Sequence, residues 1–240
     1  MCIRRRQLVN TRPVTQVRFR PWVGRNYGPH SRWRQSILIL GESHYDESYA
    51  VGDRLTEFVV RGHVERRGKQ YAFWTKIGRT FTGPGYGSAA SRRDFWESVA
   101  FYNYVQDFVG SAARQRPTPE HFRASWSPFG SVLADLRPDV VIALGFGLWG
   151  AMEPLLPMRR PLGVELPGGR RGEYVVLSRA QPGSGVFGYL KHPSTGYRPE
   201  DWRPVVEALM ERARPLRVPS PSIDQPPRPK RVPVWRRSTS

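Results

Sequence analysis

Short runs of apolar residues, each ending in a glycine or a polar cluster, alternate along the chain with amphipathic segments. Runs of this kind are typical of strands in a parallel sheet, because helices cover both faces of such a sheet. The alternation predicts an α/β fold, a three-layer α/β/α sandwich with a central, mainly parallel four-stranded sheet. The four runs lie at 37–40, 99–105, 138–145 and 186–190.

Amphipathic segments between these runs predict helices, at 47–60, 128–136, 146–155 and 199–212. Pro128 is expected in a first helical turn, where its missing N–H is tolerated. Segments 61–91 and 114–128 lack a clear period and predict loops. The first of them interleaves aromatic rings with cations, which suits either contacts to unpaired bases or packing of the rings on the core.

The length of 240 residues suits one domain with appendages. Residues 1–30 carry seven arginines and no acidic residue, which predicts a basic N-terminal arm. Residues 31–214 hold the α/β pattern and form the predicted domain. Residues 215–240 are rich in Pro and Arg with little apolar content, which predicts a disordered tail.

The net charge is +18 and the isoelectric point is near 11.0. A surplus of this size attracts polyanions, so nucleic acid is the expected partner, with a merely soluble basic protein as the alternative. No apolar run is long enough to cross a bilayer, and the first residues lack the apolar stretch of a secretory signal. We expect no membrane partner and a cytoplasmic location. An organelle transit peptide is the alternative for the arginine-rich start.

The chain contains a single cysteine, Cys2. It excludes intramolecular disulfides and any zinc or iron–sulfur site built from several cysteines. The glycine-rich segment 83–87 lacks the Lys-Ser/Thr pair of a phosphate-binding loop. We therefore expect neither a cofactor nor a metal.

Polar side chains follow the first and last predicted strands, and one lies inside the second strand. Because ligands of open α/β sheets bind beyond the carboxyl ends of the strands, these groups are expected to converge at one edge. Asn103 interrupts an apolar run, and a buried amide needs a hydrogen-bond partner from the protein or from a ligand. The candidate site residues are Gly41, Glu42, Ser43, His44, Tyr45, Asn103, His192, Pro193, Ser194 and Thr195.

This arrangement resembles the uracil-DNA glycosylase superfamily. Gly41-Glu42-Ser43-His44-Tyr45 stands where one branch of that family has G-Q-D-P-Y-H and its iron–sulfur branch has G-E-x-P-G. Asn103 lies in a run similar to the family's second strand, whose Asn reads the base edge, and 138–145 is similar to its third strand. His192-Pro193-Ser194 matches the H-P-S motif. The order and rough spacing hold from 36 to 209.

The chain departs from both branches of that family. Ser43 stands where the first branch has its water-activating Asp, and His44 replaces the motif proline. Glu42 resembles the carboxylate of the iron–sulfur branch, but the four cluster cysteines of that branch are missing. The motif is therefore a mixture of the two branches, and specificity for uracil is open.

The resemblance implies a monomeric enzyme that hydrolyses the N-glycosidic bond of uracil or another altered base flipped out of DNA. It implies that Glu42 orients a water molecule and stabilises the cationic sugar. His192 is expected to donate a hydrogen bond to the departing base.

The remaining candidates receive binding roles from the same resemblance. Asn103 is expected to pair with the edge of the flipped base, and Tyr45 to pack against its ring. The turn at 193–195 is expected to grip a phosphate, and Tyr197 or Arg198 to fill the gap left in the duplex.

Two other functions fit parts of the pattern. A relative that binds nucleic acid without cleaving it would keep the fold and the basic surface. Segment 40–44 also resembles the G-E-x-x-H-type start of erythromycin-esterase-like hydrolases, a hypothesis that leaves Asn103 and the His192-Pro193-Ser194 turn unexplained. Ordinary structural roles are open as well: Glu42 in a salt bridge, His44 as an exposed loop residue, and Asn103 bonded to the backbone.

Overall fold

The computed structural model describes residues 17–45, 52–67, 71–110, 115–156, 162–166, 170–176, 185–194 and 196–214. Within these residues the chain forms one mixed sheet of seven strands and six α-helices. The strands are β1 (Trp22–Val23), β2 (Ile37–Gly41), β3 (Ala100–Asn103), β4 (Val140–Leu144), β5 (Leu162–Leu166), β6 (Arg170–Val176) and β7 (Val186–Leu190). Their order across the sheet is β1-β3-β2-β4-β7-β6-β5.

The predicted α/β class is confirmed, but the sheet is larger than the predicted four strands and is partly antiparallel. Strands β3, β2, β4 and β7 run parallel to one another, whereas β1, β6 and β5 are antiparallel to their neighbours. The additional strands lie at the two edges of the sheet. Strand β1 has only two residues, and β6 carries several charged residues, so neither presents the apolar run that marks a buried strand.

The described helices are α1 (Leu55–Val64), α2 (Ala72–Thr82), α3 (Ala89–Glu97), α4 (Pro119–Leu136), α5 (Phe146–Met152) and α6 (Pro199–Ala213). Phe101 packs against Trp74 of α2 and Trp96 of α3, whereas Tyr102 stacks on Phe129 of α4. Because successive strand residues face opposite sides, helices cover both faces of the sheet. None of these helices is both long and apolar enough to cross a membrane.

Helix α2 lies within the predicted loop 61–91. Trp74, Ile77 and Phe81 recur at helical spacing and are all buried, so this segment is an amphipathic helix. The aromatic residues of this stretch therefore pack largely on the core, which was one of the two interpretations of the pattern. The prediction of a loop was wrong because exposed cations between the rings hide the helical period.

Helix α4 begins at Pro119, well before the predicted start at Pro128. Thr118 precedes the first turn, and its backbone N–H donates a hydrogen bond to Nδ1 of His121 at 3.1 Å. This contact satisfies an N–H that would otherwise be free at the helix start. Pro128 consequently lies in the helix interior.

Residues 17–30, which the sequence assigns to the basic arm, pack on the sheet. Phe19 and Trp22 are 2% and 6% exposed, and β1 pairs with β3. The backbone N–H of Phe19 also donates to Oε1 of Gln106 at 2.9 Å. A free arm can therefore include only 1–16, which lie outside the described residues, as does the predicted tail.

Candidate active site

The four parallel strands bring their carboxyl ends side by side. In the register of the sheet, Gly41 pairs with Asn103, Leu40 with Ala143, and Leu144 with Leu190. Glu42 therefore leaves the sheet beside Asn103, and His192 leaves it two strands away. With a strand spacing of about 4.8 Å, the backbones of Glu42 and His192 are roughly 10 Å apart.

The end of β4 and the first turn of α5, residues 145–147, separate the acid from the imidazole. A Cβ added at Gly145 would lie 3.5 Å from Cβ of His192, and one added at Gly147 would lie 3.6 Å from Oε2 of Glu42. Gly145 also has a φ of +121°, a conformation that residues with a side chain rarely adopt. The side chains of Glu42 and His192 therefore lie on either side of this segment.

Glu42 is enclosed although it lies at the edge of the sheet. Its side chain is 9% exposed, and the guanidinium Nη1 of Arg116 lies 3.4 Å from Oε2 and 3.5 Å from Oε1. Burial raises the pKa of the Glu42 carboxyl above its ordinary value, and the charge of Arg116 partly opposes the rise. A salt bridge was the structural role that the sequence left open for Glu42, and it is observed with Arg116 as the partner.

Asn103 is packed against the backbone of β2. A Cβ at Gly41 would lie 2.1 Å from Oδ1 of Asn103 and 2.8 Å from Cζ of Phe101, so the amide occupies the space left by this glycine. Gln106 donates to the backbone carbonyl of Asn103 at 2.8 Å. Its side-chain amide makes no hydrogen bond with the described residues. The amide is therefore available to a ligand and has no structural bond of its own to explain it.

His192 lies at the surface, with its ring 5.3 Å from the ring of Phe73 of α2. Its pKa is lowered first by burial against neighbouring groups and then by the charges of Arg116 and Lys76. The imidazole is therefore neutral at neutral pH. In this form it offers one N–H donor and one acceptor nitrogen.

The turn that follows His192 is held by two lysines. Lys76 donates to the carbonyl of Ser194, and Lys191 donates to the carbonyl of Gly196 at 3.0 Å. The N–H of Ser194 donates to the carbonyl of His192 at 2.7 Å, which closes a tight turn. Pro193 is buried and Ser194 is exposed, while Thr195 lies outside the described residues.

The structure does not bring all of the sequence candidates to this group. His44 is buried, its Nε2 lies 3.0 Å from the hydroxyl of Thr56, and its ring packs edge-on against Phe19 at 4.9 Å. Burial lowers the pKa of His44 to about 4. The placement of His44 in the site was wrong, because its side chain ties β2 to α1. The hydroxyl of Ser43 is buried and has no hydrogen-bond partner among the described residues, and Tyr45 is 37% exposed.

Of the two residues predicted to enter the duplex, Tyr197 is buried and Arg198 is exposed. Tyr197 is 4% exposed, and its hydroxyl is 2.8 Å from that of Thr80. Arg198 pairs with Glu200 at 3.1 Å. The prediction for Tyr197 was wrong because the ring stacks on Trp202 at a centroid distance of 6.4 Å and belongs to the core.

The sequence did not single out Arg116, Lys76 or Phe73 as site residues. Arg116 lies in the loop before α4, and nothing in its local pattern marks it. Lys76 and Phe73 belong to the stretch in which aromatic and basic residues alternate, and that alternation was the available signal.

A groove of about 590 Å³ lies elsewhere, between β1, α1 and α3. Its lining contains three arginines and three glutamates, so it has no net charge with which to attract a polyanion. No candidate residue lines it.

No group of three or more His, Cys, Asp or Glu residues in the described parts of the chain is arranged to hold a metal ion. No protein-family model matches the chain, and no curated protein matches it significantly. The carboxylate, the amide and the imidazole that share one edge of the sheet are therefore the features that bear on function.

Proposed function

We propose that this protein hydrolyses the N-glycosidic bond of an altered base, such as uracil, in a nucleotide flipped out of DNA. The observation that carries the proposal is the position of Glu42, Asn103 and His192 at the carboxyl ends of three of the four parallel strands, β2, β3 and β7. A base must leave the stack before its glycosidic bond can be attacked, and in this proposal the flipped base docks at this edge. The uracil-DNA glycosylase-like fold and the DNA partner belong to the same proposal.

Glu42 acts on the sugar side of the scissile bond. Cleavage builds positive charge on the sugar, which an enclosed carboxylate stabilises, and the same carboxylate orients the attacking water. Its raised pKa makes the carboxylate a stronger base than an exposed glutamate. One of its oxygens must then be turned toward the substrate and away from Arg116.

His192 acts on the opposite side, at the departing base. Cleavage leaves negative charge on that base, and a neutral imidazole stabilises it by donating its N–H. The lowered pKa of His192 favours the neutral ring, which keeps one N–H to donate to the departing base and transfers no proton in doing so. Its contact with Phe73 holds the ring in position.

Asn103 selects the base. Its amide offers both a donor and an acceptor and can pair with the edge of a pyrimidine that presents the complementary pair. The close fit against Gly41 fixes the direction of the amide. Basic side chains around the edge, namely Lys76, Lys191 and Arg116, favour a polyanionic substrate.

Binding of nucleic acid without cleavage is favoured by a single observation. Arg116 lies within 3.5 Å of both oxygens of Glu42, so the acid is already engaged by a side chain of the protein.

An esterase of the G-E-x-x-H type needs His44 beside Glu42, and the burial of His44 against Phe19 and Thr56 speaks against this function.

A panel of oligonucleotides with different altered bases, treated with alkali after incubation, tests the proposal. Abasic sites break under alkali, so strand breaks should appear for at least one base. Glu42→Gln should reduce the rate by about 10²–10⁴-fold and His192→Ala by about 10²–10³-fold, both without weakening binding. The matched controls Glu120→Gln, which loses another ion pair with arginine, and His30→Ala should behave like the wild type. Binding without breaks for any base would favour the non-catalytic alternative.

A further inference from the structure

An exposed arginine stands beside the buried acid of the proposed site. The side chain of Arg116 is 71% exposed, whereas that of Glu42 is 9% exposed. Within the described residues, Glu42 is the one group with which Arg116 forms an ion pair or hydrogen bond. The guanidinium thus has most of its donors turned to solvent, above the edge where substrate is expected.

The guanidinium of Arg116 lies beside the first turn of α5. A Cβ at Gly147 would lie 3.4 Å from Nη2 of Arg116 and 3.6 Å from Oε2 of Glu42. The charge of Arg116 also contributes to the lowered pKa of His192. Arg116 therefore lies against the acid, and its charge acts on the imidazole as well.

The pair between Arg116 and Glu42 is loose. Its distances of 3.4 and 3.5 Å exceed the roughly 2.7–2.9 Å of a strong charge-assisted hydrogen bond. A guanidinium fork matches a phosphate group in two-point geometry. The other two cations of this edge, Lys76 and Lys191, already donate to the backbone of the turn after His192. Of the three, Arg116 is the cation whose contact with the described residues is a long side-chain pair and not a backbone hydrogen bond.

We infer that Arg116 binds a backbone phosphate of the nucleic acid next to the flipped nucleotide, and that it leaves Glu42 when it does so. This inference rests on the proposed function, because the ligand is the polyanion that the site is proposed to cleave. Without nucleic acid, Arg116 covers the carboxylate. With nucleic acid bound, the phosphate takes over the guanidinium, and both oxygens of Glu42 face the sugar and the attacking water. The phosphate of the substrate thus uncovers the acid that acts on it.

Binding of a fluorescent uracil-containing duplex, measured by anisotropy over a series of salt concentrations, tests this exchange. Removal of one phosphate contact reduces the slope of log affinity against log salt by about 0.9, which corresponds to a roughly five-fold loss of affinity at 0.15 M salt. Arg116→Gln should show this loss, and Arg116→Lys should retain the slope. Arg32→Gln is the matched control, because Arg32 pairs with Asp94 at 2.8 Å near the amino end of β2, away from the site.

The Glu42→Gln variant separates an exchange of partners from a simple effect of charge. If Glu42 competes with phosphate for Arg116, Glu42→Gln raises affinity in the wild-type background and has little effect in the Arg116→Gln background. An equal rise in both backgrounds, or an equal salt slope for Arg116→Gln and Arg32→Gln, would overturn the inference.

Release of free base is measured on the same samples, so that the two proposals fail separately. Coupling between Glu42 and Arg116, with no release of any altered base of the panel, would support the exchange of partners and refute the proposed hydrolase. Base release without that coupling would keep the hydrolase and refute the exchange.

Discussion

Gly41→Ala should displace the side chain of Asn103, the residue proposed to recognise the base. The new methyl group would lie 2.1 Å from Oδ1 of Asn103 and 2.8 Å from Cζ of Phe101, where ordinary contacts are 3.4 Å or longer. Asn103 is only 8% exposed and must move by more than 1 Å or rotate. Overpacking of this kind costs about 1–3 kcal/mol of the free energy of unfolding. Displacement of the amide should also raise KM for the cleaved oligonucleotide.

A double-mutant cycle measured by urea unfolding isolates the clash. Asn103→Ala removes Oδ1, so Gly41→Ala should cost about 1 kcal/mol less in that background than in the wild type. The matched control is Gly130→Ala in α4, where nothing lies within 4 Å of the new methyl group. This control should stabilise the protein by about 0.5–1 kcal/mol, because alanine favours a helix over glycine. Equal costs of Gly41→Ala in the two backgrounds would refute the packing of Asn103 against β2.

Two further predictions concern pH. Burial lowers the pKa of His44 to about 4, so His44 takes up its proton at a higher pH in the unfolded chain than in the folded protein. The free energy of unfolding should therefore fall as the pH drops from about 6.5 toward 4, by about 3 kcal/mol in all. Urea unfolding should show a smaller loss over that range for His44→Gln, and an equal loss would contradict the burial of His44. Lys76→Gln should raise the pKa of His192, and Arg116→Gln should raise the pKa values of both His192 and Glu42. In each variant, the acid limb of the profile of kcat against pH should therefore move to higher pH. A shift of the alkaline limb in its place would mean that the protonated imidazole is the active form.

Apolar runs predicted the strands that build the site. Residues 37–40 and 140–144 are uninterrupted apolar runs and are buried, so their length left little choice of structure. Once these strands were assigned, the rule that ligands bind at carboxyl ends brought Glu42, Asn103 and His192 to one edge. The relation between these three residues follows from topology and did not require side-chain detail.

Other features depend on tertiary contacts that no local pattern encodes. His44 is a polar loop residue in the sequence, and only the neighbouring Phe19 and Thr56 make it an interior one. Arg116 pairs with an acid 74 residues away, so its sequence neighbours carry no trace of the contact. The edge strand β1 has only two residues, which is too short for an apolar run to mark it.

The central claim is that one acid, one amide and one imidazole form a single site that cleaves a glycosidic bond. The most direct test is to measure the release of free base by mass spectrometry under single-turnover conditions. The first substrate is a uracil-containing oligonucleotide, and oligonucleotides with other altered bases come next. The account predicts a released base for the wild type, with loss of release for Glu42→Gln and His192→Ala while both variants still bind the oligonucleotide. Base release that persists at the wild-type rate in Glu42→Gln would contradict it.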